Sequence, residues 1–206
     1  MLYRLFSKQE MRMLIKDFMT QNVVTVQSSA TVEEVKNLLA HSNFHRVPVM
    51  EGDNLVGLVN WHRLVGQGPV KYCMVTDPIT GTPDMTIEEA ADLMISKQIS
   101  ALPVLEDERL VGIITLRDLF KAGIQALGAR KHGVRVTIIL PDMRGILADV
   151  VNALTNLGAY YVSLISLPDP QGRGEMVTIK VQDVNQNQVE EALSDLSVEI
   201  EDIRTV

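Results

Sequence analysis

The chain has 206 residues, 46% of them apolar, a length and composition typical of a protein with one large or two small hydrophobic cores. It carries 19 basic and 26 acidic residues, a formal net charge of −7, and this balance argues against nucleic acid or an anionic membrane as a partner. No apolar run approaches the roughly 18 residues that a membrane-spanning helix needs, and the apolar start is too short for a signal peptide, so we expect a cytoplasmic protein.

The residue types that form disulfides, metal sites and catalytic centres are sparse. Cys73 is the only cysteine, so an intramolecular disulfide is excluded, and the four histidines show no ligand spacing with it. We therefore predict no metal site. No nucleophile motif, phosphate-cradling glycine loop or paired carboxylates stand out, so we predict that the chain is not an enzyme and has no catalytic cofactor.

The first part of the chain predicts an N-terminal packing helix, a strand, a second helix and two strands. Apolar residues at helical spacing favour the first helix, and Thr31 with Glu34 forms a capping-box pattern at the start of the second. The predicted ranges are helix 7–18, strand 22–26, a helix from Thr31 to about 42, and strands 46–50 and 55–60 around a turn.

Another capped helix begins at Thr86, and a later apolar strand ends at Thr115, just before a predicted helix that opens with Leu119. Thr115 is placed to cap this helix, and a helix N-terminus is a ready site for phosphate. Asp118 can accept two hydrogen bonds from a vicinal diol such as a ribose. A plain strand-to-helix junction with a capping threonine and a solvated aspartate is the alternative interpretation.

An internal repeat supports a binding site. Each of the following residues recurs 55 positions later, as Thr31 recurs at Thr86, with no gap across the unit. The first copies are Met19, Thr25, Thr31, Glu33, Glu34, Leu38, Pro48, Val49, Glu51, Leu55, Val56, Gly57 and Leu64.

Residues 17–127 resemble a tandem pair of CBS domains, a Bateman module. The signatures are Asp17-Phe18-Met19-Thr20, Val47-Pro48-Val49, Leu102-Pro103-Val104 and the ending from Gly112 through Thr115 to Asp118. The resemblance implies that Thr115 and Asp118 hold the phosphate and ribose of an adenosine-type ligand in a cleft between the repeats. The expected divisions are a helical segment 1–16, CBS repeats 17–68 and 69–127, and a linker 128–133.

The same resemblance implies further contacts. Main chain around Ile79-Thr80 and Ala101-Leu102 would meet the adenine edge, and His45 with Arg46 would reach the phosphates. Exposed positions at a strand start are the alternative for His45 and Arg46. The expected ligand is AMP, ADP, ATP or S-adenosylmethionine.

The first repeat departs from this ending, with Asn60 in place of Thr115 and Arg63 in place of Asp118. Arginine has no acceptor, so a charge-assisted hydrogen bond of about 1.5–3 kcal/mol is lost. Losing this free energy weakens the affinity for a ribose-containing ligand roughly ten- to hundredfold. We predict one nucleotide site per chain.

Residues 134–206 follow a strand-helix-strand-strand-helix-strand order. This segment resembles a ferredoxin-like ACT domain, with Asp142, Gly145 and Leu147 matching the family pattern Asp-x-x-Gly-x-Leu. The resemblance implies a loop that binds small effectors, mostly amino acids, at a dimer interface, but many copies serve only to pair chains. We expect chain pairing rather than effector binding here.

The fold class predicted for the whole chain is α/β (α+β), a Bateman module followed by a βαββαβ domain. This order resembles the acetoin-utilisation B type of bacterial protein, from which we infer no reaction. The leading hypothesis is a regulatory sensor that binds an adenine nucleotide or adenosyl compound and rearranges a homodimer, acting on an unknown target protein. A dimerising scaffold and an amino-acid sensor using the ACT loop are the alternatives.

Overall fold

The computed structural model describes residues 12–42 and 44–206. The chain divides into two compact units, Met1–Ala122 and Gly123–Val206. None of the described helices is both long and apolar enough to cross a membrane.

Unit 1 contains two β-hairpins, each preceded by a helix. Its elements are β1 (Val26–Gln27), α1 (Val32–Ala40), β2 (Arg46–Glu51), β3 (Asn54–Asn60), β4 (Val75–Thr76), α2 (Ile87–Ser96), β5 (Ala101–Glu106), β6 (Arg109–Thr115) and α3 (Leu116–Ala126), which runs past the unit boundary. We call β2–β3 the first hairpin and β5–β6 the second hairpin. Both are antiparallel, and each has a register shift at the same place in its repeat.

The predicted capping boxes are confirmed. At α1 the Glu34 amide donates to Thr31 Oγ1 at 3.2 Å, and the Thr31 amide donates to Glu34 Oε2 at 2.7 Å. Thr86 and Glu89 repeat this arrangement at α2, with distances of 3.1 and 2.8 Å. Each box satisfies amide groups that would otherwise lack partners at a helix start.

Two local predictions are corrected. Residues 7–11 of the predicted first helix lie outside the described residues, and in the part that is described the regular structure is a 3-10 turn, Ile15–Asp17. Ile15 is fully buried, so the segment does pack against the module. Of the predicted strand 22–26, only its last residue belongs to β1, because the preceding residues cross between hairpins.

The segment that opens each repeat pairs first with the hairpin of the other repeat, so the two opening segments are exchanged. Thr20 forms an antiparallel bridge with Ile113 of the second hairpin, whereas β4 pairs with β3 of the first. Each segment then returns to its own repeat, since β1 pairs in parallel with β2 and Gly81 bridges Val104. The residues between Thr20 and Val26 therefore run from the second hairpin to the first.

The exchange also shapes the cores of unit 1. One core contains α1 and the first hairpin, and the other contains α2, the second hairpin and Ile15. Met19 lies over Gly112 of β6, and Met74 lies over Gly57 of β3, each so close that the glycine has no room for a Cβ atom. Glycine at these two positions allows the close approach of the exchanged segments.

Unit 2 has the predicted βαββαβ order. Its elements are β7 (Val134–Leu140), α4 (Ile146–Asn156), β8 (Tyr160–Pro168), β9 (Glu175–Gln182), α5 (Gln186–Ser194) and β10 (Glu199–Thr205). They form an antiparallel sheet in the order β10-β7-β9-β8. Both helices bury their apolar residues against alternate positions of the two central strands, β7 and β9.

Candidate functional site

A cavity of about 450 Å³ opens in unit 1, within the size range of small-molecule sites. It is lined by Thr20, Asn22, Val23, Val24, Phe44, His45, Arg46, Pro48, Ser100, Ile113, Thr115, Leu116, Arg117, Asp118 and Lys121. The structure thus brings together the predicted site residues Thr115, Asp118, His45 and Arg46. They come from the end of β6, the first turn of α3 and the start of β2.

Thr115 and Asp118 form one hydrogen-bonded group. β6 ends at Thr115 and α3 starts at Leu116, three positions before the predicted start, so Asp118 lies in the first helical turn. The Thr115 hydroxyl and amide donate to Asp118 Oδ2 at 2.6 and 3.1 Å, and Lys121 Nζ donates to Oδ1 at 2.9 Å. Since a carboxylate has about four acceptor positions, roughly one stays available, on Oδ1.

Asp118 is ionised at neutral pH although it is only 8% exposed. Burial by itself would raise the pKa of its carboxyl group, but the hydrogen bonds from Thr115 and the charge and hydrogen bond of Lys121 outweigh burial, so the pKa lies below its ordinary value. The cavity therefore contains an acceptor-only group, suited to hydroxyl or amine donors of a ligand.

The basic residues of the lining exceed its acidic ones. The lining contains Arg46, Arg117 and Lys121, and its one carboxylate is that of Asp118. Arg46 is partly buried, and burial lowers the pKa of its guanidinium. Within the described residues Arg46 forms no ion pair, whereas Lys121 pairs with Asp118.

The structure places the four residues predicted to meet the adenine edge, Ile79, Thr80, Ala101 and Leu102, away from this cavity. They are absent from the lining of this cavity, and Ala101 and Leu102 are buried in β5. The exchange of segments is the reason: Ile79 and Thr80 lead into Gly81, which bridges β5, while the equivalent segment Asn22–Val24 lies beside Thr115 and Asp118.

Most of the other lining residues were missed by sequence reasoning, and the sequence held a signal for two parts of them. Asn22–Val24 could have been reached by mapping Ile79 back through the repeat, but the pattern does not say which copy faces the cavity. Lys121 had a usable signal, because residues three apart on a helix are neighbours and Asp118 precedes it by three.

The first repeat lacks this arrangement. β3 is followed by a 3-10 turn, Trp61–Arg63, in place of a helix of α3's length, and the Asn60 side chain accepts from the Arg63 amide at 3.0 Å. The Arg63 side chain is exposed and supplies donors only. The carboxylate-hydroxyl group of the second repeat thus has no counterpart at these positions.

The predicted effector residues of unit 2 lie around the start of α4. Asp142 is exposed, Gly145 precedes the helix with a φ of 91°, and Leu147 packs against the unit 2 core. Unit 2 also has a cavity of about 320 Å³ that is lined in part by Arg173, and none of the three predicted effector residues lines it. Arg173 is neutralised by three carboxylates, at 3.0 Å from Asp169, 3.1 Å from Glu199 and 2.6 Å from Glu201.

Among the described residues, no group of three or more histidine, cysteine, aspartate and glutamate side chains is placed to hold a metal ion.

The CBS domain model matches residues 15–67 and 70–124, so this chain belongs to the CBS domain family. It is 35% identical over 114 residues to CBS domain-containing protein YhcV of Bacillus subtilis, covering 51% of this chain and 81% of that protein. Other relatives are longer: inosine-5′-monophosphate dehydrogenase of Methanocaldococcus jannaschii is 36% identical over 125 residues, which cover 57% of this chain but 25% of that enzyme.

Several solved structures resemble this chain, and two of them contain adenosyl ligands. CBSX2 in complex with AMP has 28% identity and a TM-score of 0.51, covering 54% of this chain and 96% of CBSX2. The CBS pair of protein MJ0100, in complex with 5′-methylthioadenosine and S-adenosyl-L-methionine, has 26% identity and a TM-score of 0.51, covering 57% and 98%. A Vibrio cholerae protein assigned by name to acetoin utilization (AcuB) has 27% identity and a TM-score of 0.53, covering 57% and 94%.

Proposed function

We propose that this chain is a non-enzymatic regulatory sensor that binds an adenine nucleotide or adenosyl compound in the unit 1 cavity. The observation that carries the proposal is the position of ionised Asp118, with Thr115 at the start of α3, on the wall of a cavity of ligand size. AMP, S-adenosylmethionine and 5′-methylthioadenosine bound to similar CBS pairs support an adenosyl ligand.

The ribose of the ligand would bind Asp118. A diol brings two donors, and one acceptor position on Oδ1 is free, so the second hydroxyl competes with Lys121 for the carboxylate. Thr115 and the N-terminus of α3 would then face the phosphate or its substitute, where amide groups and the helix dipole favour negative charge.

The adenine base would lie against the segment that crosses between the hairpins. Val24, Pro48 and Ile113 provide apolar surface in the lining. Within the described residues, the amides of Asn22 and Val24 donate to no other main-chain group, so they are available to the acceptor nitrogens of a purine.

For binding to regulate anything, the ligand must prefer one of two arrangements of the protein, since equal affinity would shift nothing. We propose that the arrangements are two states of a homodimer, read by a target protein. We also propose the division into CBS repeats 17–68 and 69–127, a linker 128–133 and an ACT-like pairing domain 134–206. The βαββαβ topology of unit 2 supports the last assignment.

Thermal unfolding with AMP, ADP, ATP, S-adenosylmethionine, 5′-methylthioadenosine and a panel of amino acids tests the proposal. A ligand at a hundred times its dissociation constant should stabilise the protein by about 2.7 kcal/mol, a shift of roughly 5–10 °C. For an adenine ligand, Asp118→Asn should remove most of this shift, and Glu190→Gln, which changes an exposed carboxylate of α5 in unit 2, should preserve it. No shift with any adenine compound would favour a dimerising scaffold.

Sedimentation velocity and small-angle scattering, with and without the stabilising ligand, test the homodimer. We expect a dimer in both conditions and a change of scattering profile on binding. A profile that saturating ligand leaves unchanged would count against rearrangement.

A further inference from the structure

Resting on the proposed function, we infer that α3 carries the binding state of the unit 1 cavity into unit 2, and that Lys180 is the positioning residue on which this transfer depends. α3 begins at the cavity, where Asp118 and Lys121 belong to the lining. Its residues from Gly123 onward belong to unit 2, and the helical hydrogen bonding continues there, since the Leu127 amide donates to the Gly123 carbonyl at 2.9 Å. One helix thus has its first turn at the candidate site and its last turn in unit 2.

Lys180 is a buried cation outside the apolar core of unit 2. It lies on β9 between Ile179 and Val181, which belong to that core, so its side chain is on the opposite face of the sheet. Lys180 is only 6% exposed, and its Nζ donates to the Gly128 carbonyl at 3.1 Å. No carboxylate pairs with it in the described part of the chain. Since burying an ammonium group is costly, its one hydrogen bond indicates a role beyond packing.

The end of α3 supplies the acceptor for this lysine. The Gly128 amide donates to the Gln125 carbonyl and the Ala129 amide to the Ile124 carbonyl, both at 3.1 Å, which is a Schellman motif with Gly128 at a φ of 59°. The carbonyl end of a helix carries negative partial charge and favours a cation. Gly128 also lies against Val162 of β8, too closely for a Cβ atom. The end of α3 is therefore fixed to both β8 and β9.

The segment between α3 and β7 is held to unit 2 as well. Gln182 Nε2 donates to the His132 carbonyl at 2.7 Å, and Gly133 exchanges two main-chain hydrogen bonds of 2.9 Å with Val206. These contacts make the segment a fixed attachment rather than a loose tether. A change in the direction of α3 must either move the sheet of unit 2 or break them.

The proposed ribose contact acts on the other end of the same helix. A ribose hydroxyl competes with Lys121 for Asp118 Oδ1, and both residues belong to α3. The helix has 11 residues, a length of about 16 Å, and rigid elements of this kind can carry coupling between sites. Coupling is a free energy that the two sites share, so an arrangement of α3 favoured by the ligand is favoured in unit 2 by the same factor.

Hydrogen exchange of the 206-residue chain, followed by mass spectrometry, tests the inference. The probes are AMP, ADP, ATP, S-adenosylmethionine and 5′-methylthioadenosine, each with and without saturation of the protein. Exchange rates report how often a segment opens. With a probe that binds, we expect residues 127–134 and 178–183 to exchange at least fivefold more slowly, the lower end of typical coupling between sites. Residues 115–122, which include the site itself, should also slow.

Lys180→Met should separate the two responses. It removes the charge and the donor but keeps an unbranched side chain, so residues 115–122 should still slow, whereas the effect at 127–134 should fall below twofold. Lys180→Arg keeps a cationic donor and should restore most of that effect. Arg135→Met is the matched control, because Arg135 is the cross-strand partner of Lys180 but pairs with Asp202 at 3.2 Å. It should respond as the unmodified chain does.

Gln182→Ala tests the same attachment at a less buried position, in case Lys180→Met does not fold. It removes the donor to the His132 carbonyl and should at least halve the effect of the bound probe at residues 127–134. An undiminished effect in Gln182→Ala would count against the fixed attachment.

The outcomes distinguish this inference from the proposed function. If a bound probe slows residues 115–122 and leaves 127–134 unchanged in the unmodified chain, the sensor proposal stands and transmission through α3 is wrong. Equal slowing at 127–134 in Lys180→Met and the unmodified chain would overturn the role of Lys180. If calorimetric titration detects binding of none of the probes, the proposed function fails, and this inference fails with it.

Discussion

At the scale of single residues, Asp118 shares a capping role with Glu34 and Glu89 and differs from them in lining a cavity. All three carboxylates lie in the first turn of a helix and accept the amide of the threonine that precedes it. Among these three carboxylates, only Asp118 lines the cavity, and only Asp118 accepts a hydrogen bond from a lysine on its second oxygen. A common capping device thus becomes a candidate ligand site because of where its helix begins.

Asp118 should make stability depend on pH. Its pKa is lower in the folded protein than the ordinary value of 3.8, so its contribution is fully present above that value and is lost as the pH falls through the folded pKa. We expect Asp118→Asn to lower the free energy of unfolding at pH 7 by about 1–3 kcal/mol. This difference should shrink as the pH falls below about 4.

Urea unfolding of both proteins between pH 7 and pH 3 measures the effect. Thr115→Val is the matched variant, because it removes a hydroxyl donor that lowers the pKa of Asp118. In the Thr115→Val protein, the stability contributed by Asp118 should therefore begin to fall at a higher pH. A difference between the unmodified chain and Asp118→Asn that stays constant over this range would contradict the assignment.

At the scale of elements, the exchange of opening segments decides how the cavity is built. Met19 lies over Gly112, Thr20 pairs with Ile113, and the chain then crosses the cavity to reach β1. Met74 lies over Gly57 in the same way, but the segment after it contributes nothing to this lining. The two methionine-glycine contacts are equivalent in packing and different in consequence.

Gly112→Ala should therefore affect stability and binding together. Its new Cβ would meet Met19 Sδ, and moving that side chain should cost about 1–3 kcal/mol of unfolding free energy. Since Thr20 and Asn22 follow Met19, we expect the affinity for the stabilising nucleotide to fall severalfold. Chemical denaturation and calorimetric titration measure the two effects.

Gly57→Ala is the control, because its Cβ would meet Met74 Sδ at the same separation. It should lose similar stability and keep its nucleotide affinity. Equal losses of affinity in the two variants would show that the exchanged segment does not position the site.

At the scale of the whole molecule, every residue of the candidate cavity belongs to unit 1, while the largest core cluster belongs to unit 2. Leu154, on α4, is fully buried in that cluster. Leu154→Ala should destabilise residues 123–206 by about 2–5 kcal/mol through lost burial and a cavity.

Nucleotide affinity should change by less than twofold in Leu154→Ala at a temperature where both units stay folded. Calorimetric unfolding followed by nucleotide titration measures both quantities. A tenfold loss of affinity in the folded variant would show that unit 2 contributes to the site.

The sequence by itself determined the features that depend on near neighbours. The capping boxes at Thr31 and Thr86 are confirmed because they join residues three apart, and the hairpins and the βαββαβ order follow from apolar spacing and turn residues. The contrast between Asp118 and Arg63 was also readable, since it depends only on which residue type stands at matched positions of the repeat.

Only the tertiary structure decided which copy of the opening segment lines the same cavity as Asp118. The two copies are related by a constant offset, so no local pattern separates Ile79 from Val24, and the distinction arises from the pairing of Thr20 with Ile113, far away in the chain. The position of Arg46 beside the same cavity depends in the same way on distant segments meeting. Charge and helix position were visible in the sequence, but their assembly into one cavity required long-range pairing that alternating apolar patterns do not encode.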